Sequence, residues 1–328
     1  MKGLLALLVA ALAIIAFLFY TLIGSADSTQ NEQKTLKQPK YHIQVITQNT
    51  DEHFWTMFKK GASAAGSNLN TYVEFVDIPQ KDTDTSIQTI ERAVSSKVDG
   101  IALQALDIAK TSAALARASS RNIPAVTFEN ELGDIKGVST VGSNSYTIGQ
   151  QEGAMAVNAC KGGGKTAIIV NGANDPSGQS KNLKLQGIFA SLSKHPGFAS
   201  PQVYMLDSGM FETEKLMNKI LLQNPNLKLI ICTDERSTPG VAQVIVDSNR
   251  VGDIAIVGYG AMPQTLKYIE HGVIYGAVCP DAYHIGYQTV AQLCDILDKK
   301  QVTDSFNTDL FSITRQNVGR YMVQTNEK

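Results

Sequence analysis

The chain has 328 residues, and its charges nearly cancel, with 29 Lys and Arg side chains against 30 Asp and Glu side chains. This length suits two domains, and the charge balance gives no electrostatic reason to bind nucleic acid. Hydrophobic residues make up 43% and charged residues 18% of the chain, which excludes a largely disordered protein.

The first segment of the chain is apolar. Residues Gly3–Gly24 carry no charge, and a helix of this length spans about 33 Å, enough to cross a bilayer core. The sequence therefore predicts an N-terminal transmembrane helix, a signal anchor over residues 1–24. Small residues at Gly24 and Ala26 keep open the alternative of a signal peptide cleaved after Ala26. Residues 25–39 are polar and predict a flexible linker, and both alternatives place the body outside the cytoplasm.

Short apolar runs then alternate with longer helical segments. The strands predicted in the first half are Tyr41–Gln48, Tyr72–Asp77, Gly100–Gln104, Ala125–Phe128 and Val138–Val141. Those predicted in the second half are Thr166–Val170, Gln202–Leu206, Leu227–Cys232, Ile254–Val257 and Ile274–Val278, with a last short strand near Leu310–Thr314. This alternation indicates βαβ units, and about five strands in each half predict two doubly wound α/β lobes. In such sheets the ligand site lies beyond the carboxyl ends of the strands.

The sequence offers no motif for catalysis, a cofactor or a metal. The run Gly162–Thr166 is rich in glycine and contains Lys165, but Ala159 stands where a phosphate-binding loop needs its first glycine. The five His residues are not spaced as a metal pair. The cysteines, Cys160, Cys232, Cys279 and Cys294, are interpreted as buried free thiols, with disulfide pairing as the alternative in an exported protein.

Seven short motifs recur in order near strand ends. They are His53-Phe54-Trp55 with Lys60-Gly61-Ala62, Val98-Asp99-Gly100-Ile101, Asn122–Phe128, Val141-Gly142-Ser143-Asn144 with Ile148-Gly149, Leu185-Gln186-Gly187, Ile256-Val257-Gly258-Tyr259, and Asp281–Tyr287. From Tyr41 onward, the chain carrying them resembles the type I periplasmic binding proteins of the ribose and galactose class.

The resemblance implies two lobes joined by a hinge of three crossovers, which would fall near Ser143, Pro280 and Asp309. The N-terminal lobe would comprise residues 40–142 plus 281–309, and the C-terminal lobe residues 143–280 plus 310–328. Members of this family bind a small ligand between the lobes and deliver it to an ABC importer or to a membrane sensor. A tethered member without a lipid-anchor cysteine also resembles binding proteins that work beside sensor histidine kinases.

The polar positions that recognise sugar in the family are altered here. Glu129-Asn130 replaces Asp-Arg, and the other departures are Lys184 for Arg, Thr233 for Asn, Gly260 for Asp and Pro280 for Gln. The resemblance therefore implies the fold, while the identity of the ligand stays open between a sugar and another polar molecule such as a polyol or a furanone.

The candidate ligand-binding residues follow predicted strands or begin helices. They are Glu52, Phe54, Trp55, Glu129, Asn130, Asn144, Lys184, Asp234, Tyr259 and Asp281. Aromatic rings cover the apolar face of a sugar, and carboxylates and amides bond its hydroxyls. Several of these residues also have a structural alternative. One ring of Phe54 and Trp55 would pack the first helix onto the sheet, and Lys184 would be a solvated charge. Glu52 would complement a helix start, and Asp234 and Asp281 would cap helices.

These observations predict a binding protein that captures a small polar ligand, a monosaccharide in the first place, for an ABC permease. The alternative is a tethered sensor that passes ligand occupancy to a histidine kinase. A repressor core of the same fold class is excluded because a hydrophobic segment, and no helix-turn-helix, precedes the body.

Overall fold

The computed structural model describes residues 38–49, 53–79, 82–129, 135–171, 179–198, 200–206 and 210–326. The predicted N-terminal transmembrane helix lies outside these residues. Within the described ranges, no helix is both long and apolar enough to cross a bilayer. Residues Lys40–Lys328 form one compact unit.

Twelve strands form two sheets in the described part of the chain. In chain order they are β1 (Tyr41–Asn49), β2 (Thr71–Pro79), β3 (Gly100–Leu103), β4 (Ala125–Phe128), β5 (Ser139–Gly142), β6 (Lys165–Asn171), β7 (Gln202–Leu206), β8 (Leu227–Cys232), β9 (Ala255–Tyr259), β10 (Gly276–Pro280), β11 (Ser305–Asn307) and β12 (Leu310–Thr314). The N-terminal sheet has the order β11-β5-β4-β3-β1-β2, and the C-terminal sheet has the order β12-β10-β9-β8-β6-β7. The prediction of an α/β fold with two parallel-sheet lobes is therefore confirmed.

Helices separate the strands and cover the sheets. They are α1 (His53–Asn68), α2 (Thr83–Ser95), α3 (Ile108–Ser119), α4 (Ser145–Ala159), α5 (Gln179–Leu192), α6 (Met210–Gln223), α7 (Ser237–Asp247), α8 (Pro263–Glu270), α9 (Ala282–Leu297) and α10 (Val318–Asn326). The sequence places apolar residues on both faces of each sheet, so helices bury both faces. On the N-terminal sheet, for example, Ile43 and Val45 pack with residues of α1 and α9, whereas Ile46 packs with residues of α2 and α3.

The strand predictions from the sequence were wrong in four details. Each sheet has six strands rather than about five. The strand predicted at Ile274–Val278 lies at Gly276–Pro280, because Ile274 belongs to the turn after α8, where its N–H donates to Tyr268 O at 3.1 Å. The short strand Ser305–Asn307 was missed, since its polar ends give no apolar run. The C-terminal sheet is also not wholly parallel, because β12 runs antiparallel to β10.

Each lobe contains one pair of helices whose backbones touch through glycine, α1 with α9 and α4 with α5. A Cβ atom at Gly61 would lie 1.9 Å from Tyr283 O, and one at Gly286 would lie 2.0 Å from Phe58 O. In the other lobe, a Cβ at Gly149 would lie 1.9 Å from Lys184 O, and one at Gly187 would lie 2.2 Å from Tyr146 O. A side chain at any of these positions would force the two helices apart.

The chain passes between the sheets three times, after β5, after β10 and between β11 and β12. Backbone hydrogen bonds join the three passages. Thr308 N donates to Gly142 O at 2.9 Å, and Asp281 N donates to Asp309 O at 3.2 Å. The hydroxyls of Ser143 and Thr308 lie 3.2 Å apart. The passages therefore form one hydrogen-bonded ribbon.

Candidate functional site

The polar side chains singled out from the sequence lie where strands end, in both lobes. Glu129 follows β4 and Asn144 follows β5 in the N-terminal sheet, while Asp234 follows β8 and Tyr259 ends β9 in the C-terminal sheet. Parallel strands bring their carboxyl ends to one edge of a sheet, so this edge is where a ligand would meet these groups. Glu52 and Asn130 lie outside the described residues, and their predicted roles stay predictions.

The aromatic pair at the start of α1 divides between the core and the surface. Trp55 is buried, and its ring makes edge contacts with Phe54, Phe58 and Phe128 at centroid distances of 5.2, 5.9 and 6.0 Å. This arrangement agrees with the packing alternative for Trp55. Phe54 is half-buried, and its ring stacks on Phe58 at 6.0 Å. Phe54 is therefore the ring of the pair with more surface to offer a ligand.

Glu129 makes hydrogen bonds where the chain first passes between the sheets, after β5. Its backbone is in the left-handed region with φ of 44°, and its Oε1 accepts a hydrogen bond from Ser143 N at 2.6 Å. Its carbonyl oxygen accepts a hydrogen bond from Gln104 Nε2 at 3.0 Å. A Cβ at Gly142 would lie 2.9 Å from Glu129 Oε1, so the glycine makes room for this carboxylate. Glu129 thus ties the end of β4 to the chain that leaves the lobe.

Asn144 and Asp281 are helix caps, and each begins the first helix after a passage between the sheets. Asn144 Oδ1 accepts from Thr147 N at 3.0 Å and begins α4. Asp281 Oδ1 accepts from His284 N at 2.9 Å and begins α9. Each cap satisfies one of the backbone donors that a helix start leaves without a partner. The capping alternative raised from the sequence for Asp281 therefore describes its contacts.

Asp234 makes the same kind of contact in the turn before α7. Its Oδ1 accepts from Ser237 N at 2.9 Å, and its Oδ2 accepts from the Ser237 hydroxyl at 2.5 Å. The side chain is half-buried. Its carboxylate is thus held in a fixed orientation at the end of β8.

Lys184 is not a solvated surface charge, because it is half-buried and aimed at the end of the sheet. Its Nζ donates to Thr233 O at 2.8 Å and lies 3.9 Å from the centroid of the Tyr259 ring. A cation over an aromatic face gains electrostatic stabilisation from the ring quadrupole. The structure thus brings together Lys184, Thr233 and Tyr259. The sequence analysis named each of them separately, as a departure from the family pattern or as a candidate ligand-binding residue.

Glu235 links the two lobes and was not identified from the sequence. Its Oε1 accepts from Ala261 N at 3.0 Å within its own lobe, and its Oε2 accepts from Phe54 N at 3.4 Å across to the other. Gly260 makes this possible, because it has φ of 81° and a Cβ there would lie 2.4 Å from Glu235 Cγ. The glycine at position 260, one of the departures from the family pattern, therefore makes room for a carboxylate that spans the interface.

Glu152 is the second residue that the sequence analysis missed. Its side chain in α4 is fully buried, and neither carboxyl oxygen has a hydrogen-bond partner. Desolvation raises the pKa of this carboxyl from 4.5 to about 8, with Lys184 lowering it and Asp234 raising it. A signal was present, since Ile148, Glu152 and Met155 fall on one buried stripe of the helix.

Other titratable groups near the strand ends are perturbed by burial. Desolvation, and to a smaller extent the charge of Lys60, lowers the pKa of His53 at the start of α1. Burial raises the pKa values of the Cys232, Cys279 and Cys294 thiols, which makes them poor nucleophiles. All four cysteines are free. The described ranges contain no cluster of His, Cys, Asp and Glu that could hold a metal ion.

Comparison with known proteins identifies the family. The family model described as "Periplasmic binding protein domain" matches residues 43–301. The chain is 23% identical to the D-allose-binding periplasmic protein of Escherichia coli (strain K12), over 74% of this chain and 80% of that protein. The structure of GanP, a glucose-galactose binding protein from Geobacillus stearothermophilus, superposes with a TM-score of 0.75 and 25% identity, over 84% of this chain and 98% of that one.

A sugar-binding protein of a sugar ABC transporter from Bacillus halodurans shares the fold. The TM-score is 0.79, and the sequences are 22% identical over 86% of this chain and 100% of that one. The resemblance to type I sugar-binding proteins drawn from the motifs is thus confirmed, and the family is one of binding proteins rather than enzymes. The chain belongs to the periplasmic binding protein family, whose domain occupies residues 43–301.

Proposed function

We propose that this protein is an extracytoplasmic substrate-binding protein that captures a monosaccharide between its two lobes for an ABC importer. The observation that carries the proposal is the concentration of oriented polar and aromatic groups at the strand ends of both sheets, in a chain of the periplasmic binding protein family. Glu235, which contacts Phe54 N and Ala261 N, supports the view that the two sets of groups face one cleft.

Within this proposal the ligand lies between aromatic and charged walls. Phe54 and Tyr259 cover apolar faces of the sugar ring from opposite lobes, and the edge of Trp55 backs Phe54. The carboxylates of Glu129, Asp234 and Asp281, together with the amide of Asn144 and the ammonium of Lys184, contact the hydroxyls. Glu52 and Asn130 contribute from the loops after β1 and β4.

The backbone hydrogen bonds that Asp234 and Asp281 accept in a turn and a helix cap are compatible with ligand binding. Asp234 and Asp281 accept backbone hydrogen bonds, which fixes the direction of each carboxylate. A carboxylate has about four acceptor positions, so one that caps a helix can still accept from a sugar hydroxyl. Fixed side chains lose little conformational freedom on binding, which favours affinity.

The relatives support a monosaccharide as the ligand. The names of the matched proteins refer to D-allose, D-apiose, xylose, arabinose, glucose and galactose, which are neutral hexoses and pentoses. The name of the Bacillus halodurans neighbour refers to a sugar ABC transporter, which favours the importer role over the alternative of a sensor coupled to a histidine kinase. We also propose that Gly3–Gly24 anchors the chain to the membrane, or is cleaved after Ala26. The lobes then comprise residues 40–142 plus 281–309 and residues 143–280 plus 310–328.

Thermal unfolding of the full-length protein in mild detergent tests the proposal. A panel of pentoses, hexoses and polyols is added, and the melting temperature is measured for each. A sugar at 100 times its Kd stabilises the folded state by about 2.7 kcal/mol, which raises the melting temperature by roughly 5 °C or more. We expect one sugar or a small related group to give this shift.

Variants locate the site. Phe54→Leu and Lys184→Met are expected to reduce the shift, whereas the matched control Glu270→Gln, at an exposed position of α8, keeps it. Ligand shifts of equal size in all of these variants would place the sugar elsewhere. The absence of any shift across the panel, in folded protein free of bound sugar, would overturn the proposal.

A further inference from the structure

Glu152 is a carboxyl group on the buried face of α4. It is fully buried, and both of its oxygens are without a hydrogen-bond partner among the described residues. Burying a polar group without a partner costs free energy, and burying it as an ion costs more. A buried acid left in this state in a natural protein therefore calls for an explanation in terms of function.

The elements packed against α4 are α5, β8, β9 and β10. The titratable groups considered on them are Lys184 on α5, Cys232 on β8, Asp234 in the turn after β8, Tyr259 at the end of β9 and Cys279 on β10. Lys184 and Asp234 act on the Glu152 carboxyl directly, and Glu152 acts on Cys232. Cys279 is influenced instead by Glu235, Asp281 and Glu129. Lys184 is thus the one cation in this described set.

The protonation state of Glu152 changes the charge that acts on the Lys184 ammonium. Desolvation raises the pKa of Glu152 to about 8, so the carboxyl is neutral at pH 7. Lys184 Nζ then lies at Thr233 O and over the Tyr259 ring, at the end of the sheet. When Glu152 loses its proton, a buried carboxylate without hydrogen bonds is created, and the Lys184 ammonium is a cation whose charge acts on it.

We propose that Glu152 is a proton-linked positioning residue for Lys184. The neutral carboxyl leaves the ammonium at Thr233 and Tyr259, where it can contact the ligand. The ionised carboxylate draws the ammonium away from the strand ends and toward α4, so the cleft loses a donor. Ligand affinity is therefore highest when Glu152 is protonated. The ligand readout of this inference rests on the proposed function, whereas the position of Lys184 does not.

Isothermal titration of the full-length protein with D-allose, D-galactose, D-glucose, D-apiose, xylose and arabinose, between pH 6.5 and pH 9, measures the affinity. If only the protonated form binds, the competent fraction falls to roughly one-tenth at pH 9, and Kd rises about tenfold from its value at pH 7. We expect this rise in the native protein and in the control Glu270→Gln. Glu152→Gln keeps a neutral side chain of the same shape at every pH, so its Kd should stay within about twofold.

The position of Lys184 is measured without ligand by NMR. Its ε-methylene protons lie near the face of the Tyr259 ring and carry a ring-current shift, which is assigned by its loss in Lys184→Met. We expect this shift to disappear with a midpoint near pH 8 in the native protein and to persist in Glu152→Gln. Because Lys184→Met removes the cation, its ligand affinity should be weaker and should no longer depend on pH in this range.

Two results would overturn the inference: the same pH dependence of Kd in Glu152→Gln as in the native protein, or a Lys184 ring-current shift that does not change between pH 6.5 and pH 9. If no sugar binds at any pH, the proposed function fails, while the NMR titration still decides the role of Glu152. If Glu152→Gln does not fold, Lys184→Met and the native titration decide it.

Discussion

The two helix pairs, α1 with α9 and α4 with α5, are built alike in their backbones and differently in their side chains. Both pairs touch through a reciprocal contact between glycine and a carbonyl group. Under the first pair lies an aromatic cluster of Trp55, Phe58 and Phe128. Beside the second lies the fully buried acid Glu152, with Lys184 nearby. One way of packing helices thus supports an inert core in one lobe and a titratable site in the other.

The largest expected change in the free energy of unfolding is in the aromatic cluster under α1 and α9. Trp55→Ala removes a buried ring that contacts three others, and truncating a buried Trp costs roughly 3–5 kcal/mol. We expect a loss of this size in the free energy of unfolding measured with urea, with a smaller loss for Tyr259→Ala, which is half-buried. A cost below about 1 kcal/mol for Trp55→Ala would show that its ring is not part of the core.

The glycine contacts should respond equally in the two lobes. Gly61→Ala and Gly149→Ala each place a methyl group 1.9 Å from a carbonyl oxygen of the facing helix, and overpacking of this kind costs roughly 2–3 kcal/mol. Gly162→Ala is the matched control, because a Cβ there meets nothing within 4 Å. Calorimetry of the three variants measures the effect. A normal melting temperature for either of the first two would mean that its helix pair is not in contact.

The buried acid makes stability depend on pH. Its pKa in the folded state is about 8, above its unfolded value, so the folded state binds more protons between the two. The stabilising effect of the proton is fully present below pH 4.5 and is lost as pH rises through 8. Within this window stability falls by roughly 1.4 kcal/mol per pH unit from this group alone.

Urea unfolding at pH 6 and at pH 7 measures that slope. We expect the fall between the two pH values to be smaller in Glu152→Gln than in the native protein by roughly 1.4 kcal/mol. Glu270→Gln, with its side chain in water, should keep the native slope. Equal slopes in all three proteins would place the pKa of Glu152 outside this window.

The smallest expected change in the free energy of unfolding is at the helix caps Asn144 and Asp281, which follow passages between the lobes. Asn144→Ala and Asp281→Ala each remove one accepted backbone hydrogen bond, at a cost of about 1 kcal/mol. Sugar affinity measured on the same variants separates two roles. A loss of stability with unchanged affinity means a cap alone, whereas a loss of both supports the proposed contact with ligand.

The alternation of apolar runs with helical segments was sufficient to predict both sheets, because each buried strand is a short apolar run in the sequence. It did not reveal Ser305–Asn307, whose position in the sheet depends on pairing with β5, residues far away in the chain. Which ring of the Phe54–Trp55 pair faces inward was also left open. The spacing of Trp55 with Phe58, Ala62 and Ala65, all buried, does indicate the inner stripe of α1.

The sequence predicted where in the fold the candidate site residues lie. It gave much less information about which groups they contact. Residues that follow strands were found because the fold class directs attention there. Glu235 was missed because its partners, Phe54 N and Ala261 N, lie 181 and 26 residues away in the chain. Glu152 was missed because an acid in a helix is usually solvated, and only the apolar residues at its own spacing indicate otherwise.

The hydrogen-bonded ribbon between the lobes restricts how they can move. Three independent tethers would allow the lobes to twist and slide, but Thr308 is bonded to Gly142 and Asp309 to Asp281. Twisting or sliding would shear these bonds, whereas bending the three strands together keeps them intact. Bending is therefore the relative motion of the lobes that these hydrogen bonds oppose least.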